Sequence, residues 1–374
     1  MRGDCHLVLF GAYMKFKCER DVLVESLATA GRAVNKGLPG LSGIQAILKK
    51  DTLSLTGTDR DLTIAVDVKV SGSTDGEAVI PARLAADIVK AIKPGAVSIE
   101  VSGDSLQITS GRSEFSIRLI ASDDFPKLVA NEAETFTLSA EELNESLQQV
   151  VLAASSDDSR PILTGVLLAS EGDGLRLVAT DSYRLAMRDI KNAAVLKKGQ
   201  SVLIPSRALE ELNKVLDKGD KVDLQLGESE AAFVVGDIKI TTRLIEGEFP
   251  NYRGLIPDSH PNKLTVNRGE FLEALRRVKL LARESTPVRL EMNSDGVELV
   301  AVTQDVGTAR EFVEGQYDGS DLIVAFNPQY LAEGVEVTPG DEMTLSTIDE
   351  LKPALIHSVG VEDLLYLLMP VRVS

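Results

Sequence analysis

The sequence predicts an α+β protein built from three tandem domains that repeat one plan, and two observations carry this prediction. The first is a stripe in which apolar residues recur at i, i+4, i+7 and i+11, the spacing of one buried helix face. The three stripes are Leu23, Leu27, Ala30 and Val34; Leu143, Leu147, Val150 and Ala154; and Phe271, Leu275, Val278 and Ala282. The second is landmark spacing, since Pro81, Pro205 and Pro328 follow at intervals of 124 and 123 residues (205 − 81 and 328 − 205). The interval is much longer than a solenoid unit, so each copy is expected to be a domain with its own core.

The repeat also sets the predicted domain boundaries. Residues 14–131, 132–258 and 259–374 are predicted to form the first, second and third domains, and residues 1–13 an N-terminal extension or tag remnant. The pair Phe125-Pro126 near the end of the first domain recurs as Phe249-Pro250 near the end of the second.

Each domain is predicted to contain two β-α-β-β-β halves, which gives six amphipathic helices attached to antiparallel sheet. In the first domain the strand MKFKCE leads into the first stripe, and the runs IQAILKK, TLSLTGT and LTIAVDVKV follow as a meander. The second half begins with a helical pattern at Pro81 and continues with VSIEVSG, SLQITSG and EFSIRLI. Proline suits the first helical position because its missing N–H would be unpaired there anyway.

Composition limits the class of protein. The 374 residues leave room for about three domains, and 44% hydrophobic with 26% charged residues is ordinary for a globular chain. No apolar run reaches the roughly 18 residues that a membrane-spanning helix needs. The two cysteines, Cys5 and Cys18, cannot form a disulfide framework. We therefore expect a cytoplasmic protein with no membrane partner.

The net charge of −17 argues against nucleic-acid binding, but the positive charges are gathered on the predicted helices. These are Arg32, Lys36, Arg83, Lys90, Lys93, Arg207, Lys214, Arg276, Lys279 and Arg283. Such a set within an acidic chain indicates a surface that faces phosphates, although ordinary solvated faces would give the same pattern. No helix carries the cluster that reads bases in the major groove, so any contact should be independent of sequence.

Motifs for catalysis are sparse. His6, His260 and His357 lack metal-ligand spacing, and no phosphate-binding loop or nucleophile elbow is present. Asp59, Asp181 and Asp305 each close an apolar strand, where aspartate commonly turns the chain by bonding its own backbone. A diffuse active site that binds a divalent metal through these aspartates is the enzymatic alternative. We expect no catalytic residue, no metal and no cofactor.

Two segments are typical of a partner site. ATDSYRLA (residues 179–186) follows a strand end, and the terminal LLYLLMPVRVS is unusually apolar for the end of a chain. Met369 and its neighbours suit the wall of an adaptable groove for peptides, whereas a core edge strand is the simpler interpretation.

Together the threefold repeat, MKF, ATDSYRLA, EFPNYRGLIP and YLLMPVR resemble the bacterial DNA polymerase III beta subunit family, the sliding clamps, over residues 14–374. The resemblance implies a non-catalytic processivity factor. Two chains would form a head-to-tail homodimer, a six-domain ring around double-stranded DNA with twelve helices lining the hole. It further implies partners that bind as linear peptides: the DNA polymerase III alpha subunit, the clamp loader and repair proteins.

The resemblance also implies the residues of the peptide-binding pocket. They are Leu163, Thr180, Ser182, Tyr183, Arg184, Leu185, Pro250, Leu255, Leu351, Pro353, Leu368, Met369, Pro370, Val371 and Arg372. The chain departs from the family where Ser182-Tyr183 replaces a Gly-His pair found in some members, where Gly254 replaces a basic residue, and at the terminal Val373-Ser374. These departures concern which peptides the pocket prefers.

The expected subunit joint lies between the first domain of one chain and the third domain of the other. Leu280 and Leu281 match the apolar dimer contact of the family. Leu280 also points away from the buried stripe of its helix, so an isolated domain would expose it. A peptide-binding scaffold of repeated α+β domains with no role on DNA is the alternative, and it predicts neither a basic bias on the helices nor a closed ring.

Overall fold

A computed structural model describes residues 13–35, 37–121, 125–126, 133–257, 259–282 and 286–372. The chain divides into two compact units, the first made of Met1–Ala140 with Lys214–Arg243 and the second of Glu141–Asn213 with Leu244–Ser374. Residues 1–12 of the predicted extension, Lys36, Arg283 and the terminal Val373-Ser374 lie outside the described residues. The boundaries of the three domains stay a prediction.

Six α-helices lie in the described residues, in agreement with the number predicted. They are α1 (Arg20–Ala30), α2 (Ala82–Ala91), α3 (Ala140–Val150), α4 (Ser206–Asn213), α5 (Arg268–Lys279) and α6 (Pro328–Val337). In these residues no helix is both long and apolar enough to cross a membrane.

The strands follow the predicted meanders, and all the pairings described below are antiparallel. The first repeat contains β1 (Tyr13–Glu19), β2 (Gly43–Lys49), β3 (Thr52–Thr58), β4 (Leu62–Lys69), β5 (Ser71–Thr74), β6 (Gly76–Pro81), β7 (Ala96–Ser102), β8 (Ser105–Ser110) and β9 (Ser113–Arg118). The second contains β10 (Thr135–Ser139), β11 (Gly165–Glu171), β12 (Gly174–Thr180), β13 (Arg184–Ile190), β14 (Ser201–Pro205), β15 (Lys221–Leu226), β16 (Glu230–Val235) and β17 (Ile238–Arg243). The third contains β18 (Asn262–Asn267), β19 (Val288–Asn293), β20 (Gly296–Thr303), β21 (Gly307–Asp318), β22 (Leu322–Phe326), β23 (Glu342–Thr347), β24 (Ala354–Ser358) and β25 (Leu364–Leu368).

The first unit holds two sheets, with strand orders β5-β1-β7-β8-β9 and β10-β15-β16-β17-β4-β3-β2-β6. The second unit holds one twelve-stranded sheet in the order β14-β11-β12-β13-β25-β24-β23-β18-β21-β20-β19-β22. In both units a strand of one repeat pairs with a strand of the next, as β4 does with β17 and β13 with β25. The repeats are therefore joined by continuous backbone hydrogen bonding.

The helical stripes are confirmed for their first three members and wrong for the fourth. Val34, Ala154 and Ala282 were expected on the buried face, but each lies past the end of its helix and is only partly buried. In the first two repeats the α-helix tightens into a 3₁₀ turn, and Ala33 and Ala153 are fully buried instead. A 3₁₀ turn has about 3.0 residues per turn, so the buried position arrives one residue earlier than helical spacing predicts.

The prolines precede the second helix of each repeat, but their positions relative to the helix start differ. Pro328 occupies the first position of α6, as expected. Pro81 and Pro205 are instead the last residues of β6 and β14, and their helices start at the next residue. Proline is tolerated at the N-cap for the same reason as in the first turn. The backbone N–H groups at these positions have no carbonyl partner within the helix, so a residue without an N–H loses no helical hydrogen bond there.

Gly57 in β3 shows how closely α1 approaches the sheet, and it gives a first prediction. A Cβ atom at this position would lie 2.1 Å from the backbone oxygen of Ala30, which ends α1. We expect Gly57→Ala to lower the free energy of unfolding by about 1–3 kcal/mol, because a backbone group cannot swing aside as a side chain can. Urea denaturation of the full chain measures this. Gly254→Ala is the control, since its nearest neighbour would lie at 3.6 Å; equal stability of the two variants would contradict the prediction.

Candidate functional site

The turn between β12 and β13 in the second unit, with the strand residues that flank it, carries five of the predicted pocket residues: Thr180, Ser182, Tyr183, Arg184 and Leu185. The Asp181 carboxylate accepts the backbone N–H groups of Tyr183 (2.9 Å) and Arg184 (3.0 Å), and the Thr180 hydroxyl donates to the Arg184 carbonyl (2.6 Å). Ser182 has φ of 82°, in the left-handed region. These bonds confirm that Asp181 turns the chain, and they hold a residue whose conformation favours glycine.

The equivalent turn recurs in the other repeats, with one correction. Asp59 accepts the backbone N–H groups of Asp61 (3.1 Å) and Leu62 (2.8 Å), so its predicted turn role is confirmed. The left-handed positions are Arg60, Ser182 and Asp305, with φ of 86°, 82° and 62°. Asp305 therefore matches Arg60 rather than Asp59. The prediction that the three aspartates close their strands in the same way was wrong for Asp305, because Gln304 separates it from the end of β20, whereas Asp59 and Asp181 directly follow β3 and β12.

The C-terminal tail lies across this turn. β25 pairs with β13, with Leu368 opposite Arg184 and Leu367 opposite Leu185. Beyond the strand, the backbone N–H of Met369 donates to the carbonyl of Tyr183 (2.9 Å), and that of Val371 donates to the carbonyl of Ala325 in β22 (2.7 Å). Met369 and Val371 nevertheless keep exposed side chains. The tail is thus ordered by its backbone and presents apolar side chains to solvent, as a binding wall requires.

Arg184 is the buried charge of the site. Its Nε donates to Asp181 (3.1 Å), its Nη1 donates to Glu333 of α6, and its guanidinium lies 4.2 Å from the ring centroid of Tyr330. The hydroxyl of Tyr366 donates to the backbone oxygen of Tyr330 (2.9 Å). Burial raises the pKa of the Tyr366 phenol, which keeps it protonated and able to donate. Two carboxylates and an aromatic face together balance the single buried cation.

Tyr183 and Tyr330 form an aromatic pair beside this charge. Their ring centroids are 6.5 Å apart and the rings are 28° from parallel. Tyr183 remains 59% exposed, so one face of the pair is open to a ligand. Stacked tyrosines offer a rigid apolar surface with polar tips, which suits the recognition of a peptide.

An apolar cluster forms the floor beneath the turn and the tail. It contains Leu167, Val178, Leu185, Leu203, Tyr252, Leu355 and Leu367, with Ile162, Phe249 and Ile256 among the side chains packed against it. Of the remaining predicted pocket residues, Leu163, Pro250 and Leu255 are chain neighbours of Ile162, Phe249 and Ile256, and Leu351 and Pro353 lie four and two residues before Leu355. Pro370, which is half-buried, and Arg372, which is exposed, belong to the tail. The structure thus brings segments from four distant parts of the sequence to one apolar surface.

The segment that carries Pro250 and Leu255 is fixed to the sheet on its polar side. Arg253 donates to Glu171 of β11 (2.6 Å), and Arg176 of β12 forms a bidentate pair with Asp189 of β13 (2.6 and 2.7 Å). Tyr252 is a buried member of the apolar cluster, and the Arg253 guanidinium lies 5.5 Å from its ring centroid. The bidentate pair holds the sheet itself, and the Arg253–Glu171 bond ties the segment to that sheet.

Sequence reasoning missed Arg160, Tyr330, Glu333 and Tyr366. Arg160 donates to the backbone oxygen of Asp181 (3.4 Å) and the Ser182 hydroxyl (3.3 Å), and it pairs with Asp157 (3.0 Å), which places it at the rim of the turn. A basic residue three positions before Leu163 was visible in the sequence. No local sequence pattern could have predicted the pairing of Arg184 with Glu333, because 149 residues separate them.

The basic residues predicted to face DNA lie on the surface where described, and several have acidic neighbours. Arg83 approaches Asp87 (3.8 Å), and Arg276 pairs with Glu273 (2.8 Å) and Glu336 (3.0 Å). The exposed members are Arg32, Arg83, Lys90, Lys93, Arg207, Lys214 and Arg276, whereas Lys279 is half-buried and donates to Gln329. Their role toward phosphates stays a prediction.

Leu280 follows the last residue of α5 and leaves 84% of its surface exposed, the largest fraction of any large hydrophobic side chain in the described residues. Leu281 beside it is half-buried.

In the described part of the chain, no three histidine, cysteine or acidic side chains are grouped as a metal site. Around Tyr183 and the tail, an open aromatic face lies beside exposed apolar side chains, an arrangement suited to contact with an apolar ligand.

Comparison with known proteins agrees with this geometry. Residues 14–129, 137–251 and 253–372 match the N-terminal, central and C-terminal domains of the DNA polymerase III beta subunit. The beta sliding clamp of Streptomyces coelicolor is 33% identical over 378 residues, which cover 96% of this chain and 100% of the relative. The crystal structure of the Bacillus subtilis DNA polymerase sliding clamp has a TM-score of 0.91 and 32% identity, covering 97% of this chain and 100% of that one. The sliding clamp of Bartonella birtlesii, solved bound to griselimycin, has a TM-score of 0.91 and 31% identity, covering 96% of this chain and 100% of that one.

Proposed function

Because the chain belongs to the DNA polymerase III beta subunit family, we propose that two copies close into a ring around duplex DNA and tether a polymerase to it. The ring would act as a processivity factor inside the cell and catalyse no reaction. The observation that carries the proposal is the way that strands join consecutive repeats.

Two joints of the same kind are present within the chain. In the first unit β4 pairs with β17, with Ile64 opposite Ile240. In the second unit β13 pairs with β25, with Ala186 opposite Tyr366. Each joint links the third meander strand of one repeat to the last strand of the next.

The third joint needs a second copy. In the third repeat, residues 307–314 of β21 are equivalent to β4 and β13, and on one side they pair with β20. On the other side of β21, β18 pairs with residues 315–318 and leaves residues 307–314 as an open edge within the described residues. β9 is the last strand of the first repeat and, in the described residues, pairs with β8 alone. Exposed Phe312 and Phe115 lie on these two edges. Unpaired edges with apolar side chains favour association, and a head-to-tail contact of this kind can close a ring.

The charge distribution favours a ring that stays on DNA because it encircles the duplex, and not because it binds the duplex tightly. A chain with net charge −17 and a modest set of basic residues on its helices binds phosphates weakly. A closed ring needs no tight contact, because it leaves duplex DNA only at an end or by opening. Sequence-independent sliding follows from such a design.

The pocket would bind the partner proteins and so tether them to the DNA that the ring encircles. Its floor is apolar, its wall is the exposed Met369 and Val371, and Tyr183 offers an open aromatic face. We infer that it takes short linear peptides from the DNA polymerase III alpha subunit, the clamp loader and repair proteins. The competing function, a peptide-binding scaffold with no role on DNA, shares the pocket and lacks the ring.

Retention on circular DNA separates the two functions. The protein is loaded with its cognate loader and ATP onto a nicked plasmid, which is then linearised, and bound protein is followed at rising salt. Phosphate contacts weaken steeply with salt, whereas an encircling ring persists until an end is available. Loss only after linearisation is the expected result. Equal, salt-sensitive loss of the protein from circular and linear DNA would mean that it binds DNA only electrostatically. Absence of binding to either DNA would favour the peptide-binding scaffold with no role on DNA.

Leu280→Asp should weaken self-association by about 100-fold or more, because a buried apolar anchor at an interface is worth roughly 2 kcal/mol or more. Sedimentation equilibrium measures the dissociation constant, and retention on the nicked circle should fall with it. Leu38→Asp is the control, since Leu38 is 53% exposed and lies on neither strand edge. A Leu280→Asp protein with the wild-type dissociation constant would remove Leu280 from the joint.

A further inference from the structure

A second groove adjoins the candidate pocket in the second unit. It has a volume of about 420 Å³ and lies between the start of β14 and the segment Gly247–Arg253. Leu203, Ile245 and Phe249 supply an apolar surface, and Ser201, Asn251 and Arg253 supply polar atoms along its sides. An apolar base with a few polar groups around it is the usual composition of a ligand groove.

The groove is continuous with the pocket through shared residues. Pro250, a predicted pocket residue, also lines the groove, and Tyr252 lines it while packing into the apolar floor with Leu185 and Leu367. Arg253 next to Tyr252 is fixed to Glu171 (2.6 Å), so the ridge between the two depressions is held in place. A chain that leaves the pocket over this ridge enters the groove.

The strand beside the groove presents an open edge. The backbone N–H of Ser170 donates to the carbonyl of Gln200 (3.0 Å), which places the even-numbered residues of β14 toward β11. Ser201 and Leu203 therefore direct their backbone groups to the opposite side, where Ile245 donates to the Leu203 carbonyl (2.8 Å). The N–H and carbonyl of Ser201 lie on that same side, at the end of the groove. Edge groups of this kind bind an extended peptide by adding a strand.

We propose that this groove receives the residues that flank the anchor of a partner peptide bound in the pocket. The flank runs extended along Ser201, and one of its aliphatic or aromatic side chains packs on Ile245 and Phe249. The inference rests on the proposed peptide-binding function and adds a second contact to it. Partners would then differ in affinity through residues outside the anchor itself.

The first repeat provides a matched control groove. It has a volume of about 540 Å³ and is lined by residues 77–79 and 118–121 among others. There Ile120 donates to the Val79 carbonyl (2.9 Å), as Ile245 does to Leu203. No predicted pocket residue lines it. The two grooves share a local plan, and continuity with a pocket distinguishes the second.

The test uses overlapping synthetic peptides from the cognate DNA polymerase III alpha subunit and the full-length protein. The shortest peptide that binds defines the anchor, and it is then extended by six residues at either end. We expect one extension to lower the Kd about five- to tenfold, a modest gain typical of an added strand with one packed side chain. Isothermal titration calorimetry gives both affinities and the heat-capacity change of the added burial.

Variants then locate the gain. Ser201→Pro should abolish the gain and leave the Kd of the anchor unchanged, because Ser201 is not part of the apolar floor, whereas the matched Glu77→Pro should keep the gain. Glu248→Trp, which fills the groove from an exposed position, should also abolish the gain, and Asp104→Trp in the control groove should keep it. The anchor Kd of each variant reports whether the fold is intact, so the result does not depend on one substitution. Extended peptides that bind no tighter than the anchor, or a gain that survives both groove variants, would overturn the inference. Failure of every anchor peptide to bind would instead contradict the proposed function.

Discussion

Removal of residues 369–374 should reduce the affinity for an anchor peptide by about 100-fold or more, which corresponds to roughly 2.7 kcal/mol. The tail supplies the wall formed by Met369 and Val371, and its order depends on two backbone bonds, to Tyr183 and Ala325. Leu368, the last residue retained, is fully buried in β25, so the sheet should keep its pairing. Fluorescence anisotropy of a labelled peptide measures the loss.

The matched control removes six residues from the other end, Met1–His6, which the sequence assigns to the extension. That truncation should bind the peptide as the full chain does. The thermal midpoint of the tail truncation should stay close to that of the parent, because few contacts are lost. Undiminished affinity after tail removal would mean that the peptide binds elsewhere.

Arg184→Met should lower the free energy of unfolding by about 3–5 kcal/mol, the usual effect of removing one partner from a buried ion pair. Methionine preserves much of the side-chain length, but the carboxylates of Asp181 and Glu333 would then face each other without a cation. The contact with the Tyr330 ring would also be lost. Denaturant unfolding, followed by hydrogen exchange of β13, measures the effect in the second unit.

Two further variants test the electrostatic cause. Glu333→Gln added to Arg184→Met should recover part of the lost stability, because it removes one of the uncompensated charges. Lys15→Met is the control, since Lys15 forms an ion pair with Glu100 (2.7 Å) that solvent reaches, and its loss should change the free energy of unfolding far less. A loss in Arg184→Met as small as in Lys15→Met would show that the buried pair is not the source of stability.

Element type and order could be predicted from the sequence because periodicity is local. A helix face repeats within four residues and a strand face within two, so the stripe at Leu23 and the alternation in MKFKCE determine these elements. Helix ends were less predictable. Val34 and Ala154 fit the stripe by spacing, yet a 3₁₀ turn moved the buried position to Ala33 and Ala153.

The candidate site shows the same division between local and distant information. Asp181 could be assigned to turn chemistry because the backbone N–H groups that donate to its carboxylate are only two and three residues away. Asp305 was assigned wrongly, since only the backbone conformation shows that it occupies the left-handed position of the turn. Arg160 was missed because its contact with Ser182 joins residues that are 22 positions apart, with β11 and β12 between them.

By itself the sequence determined that the chain repeats one α+β plan three times, and that apolar residues close its C-terminus. Both properties follow from spacing and composition, which act over a few residues or recur at a fixed interval. Tertiary structure alone decided that Glu333 and Tyr330 surround Arg184, that the tail bonds to Tyr183, and that a groove continues past Pro250. The contacts of Arg184 and of the tail join residues far apart in the chain, which the antiparallel pairing of β13 with β25 brings together, whereas the groove depends on β14 and the segment that follows β17.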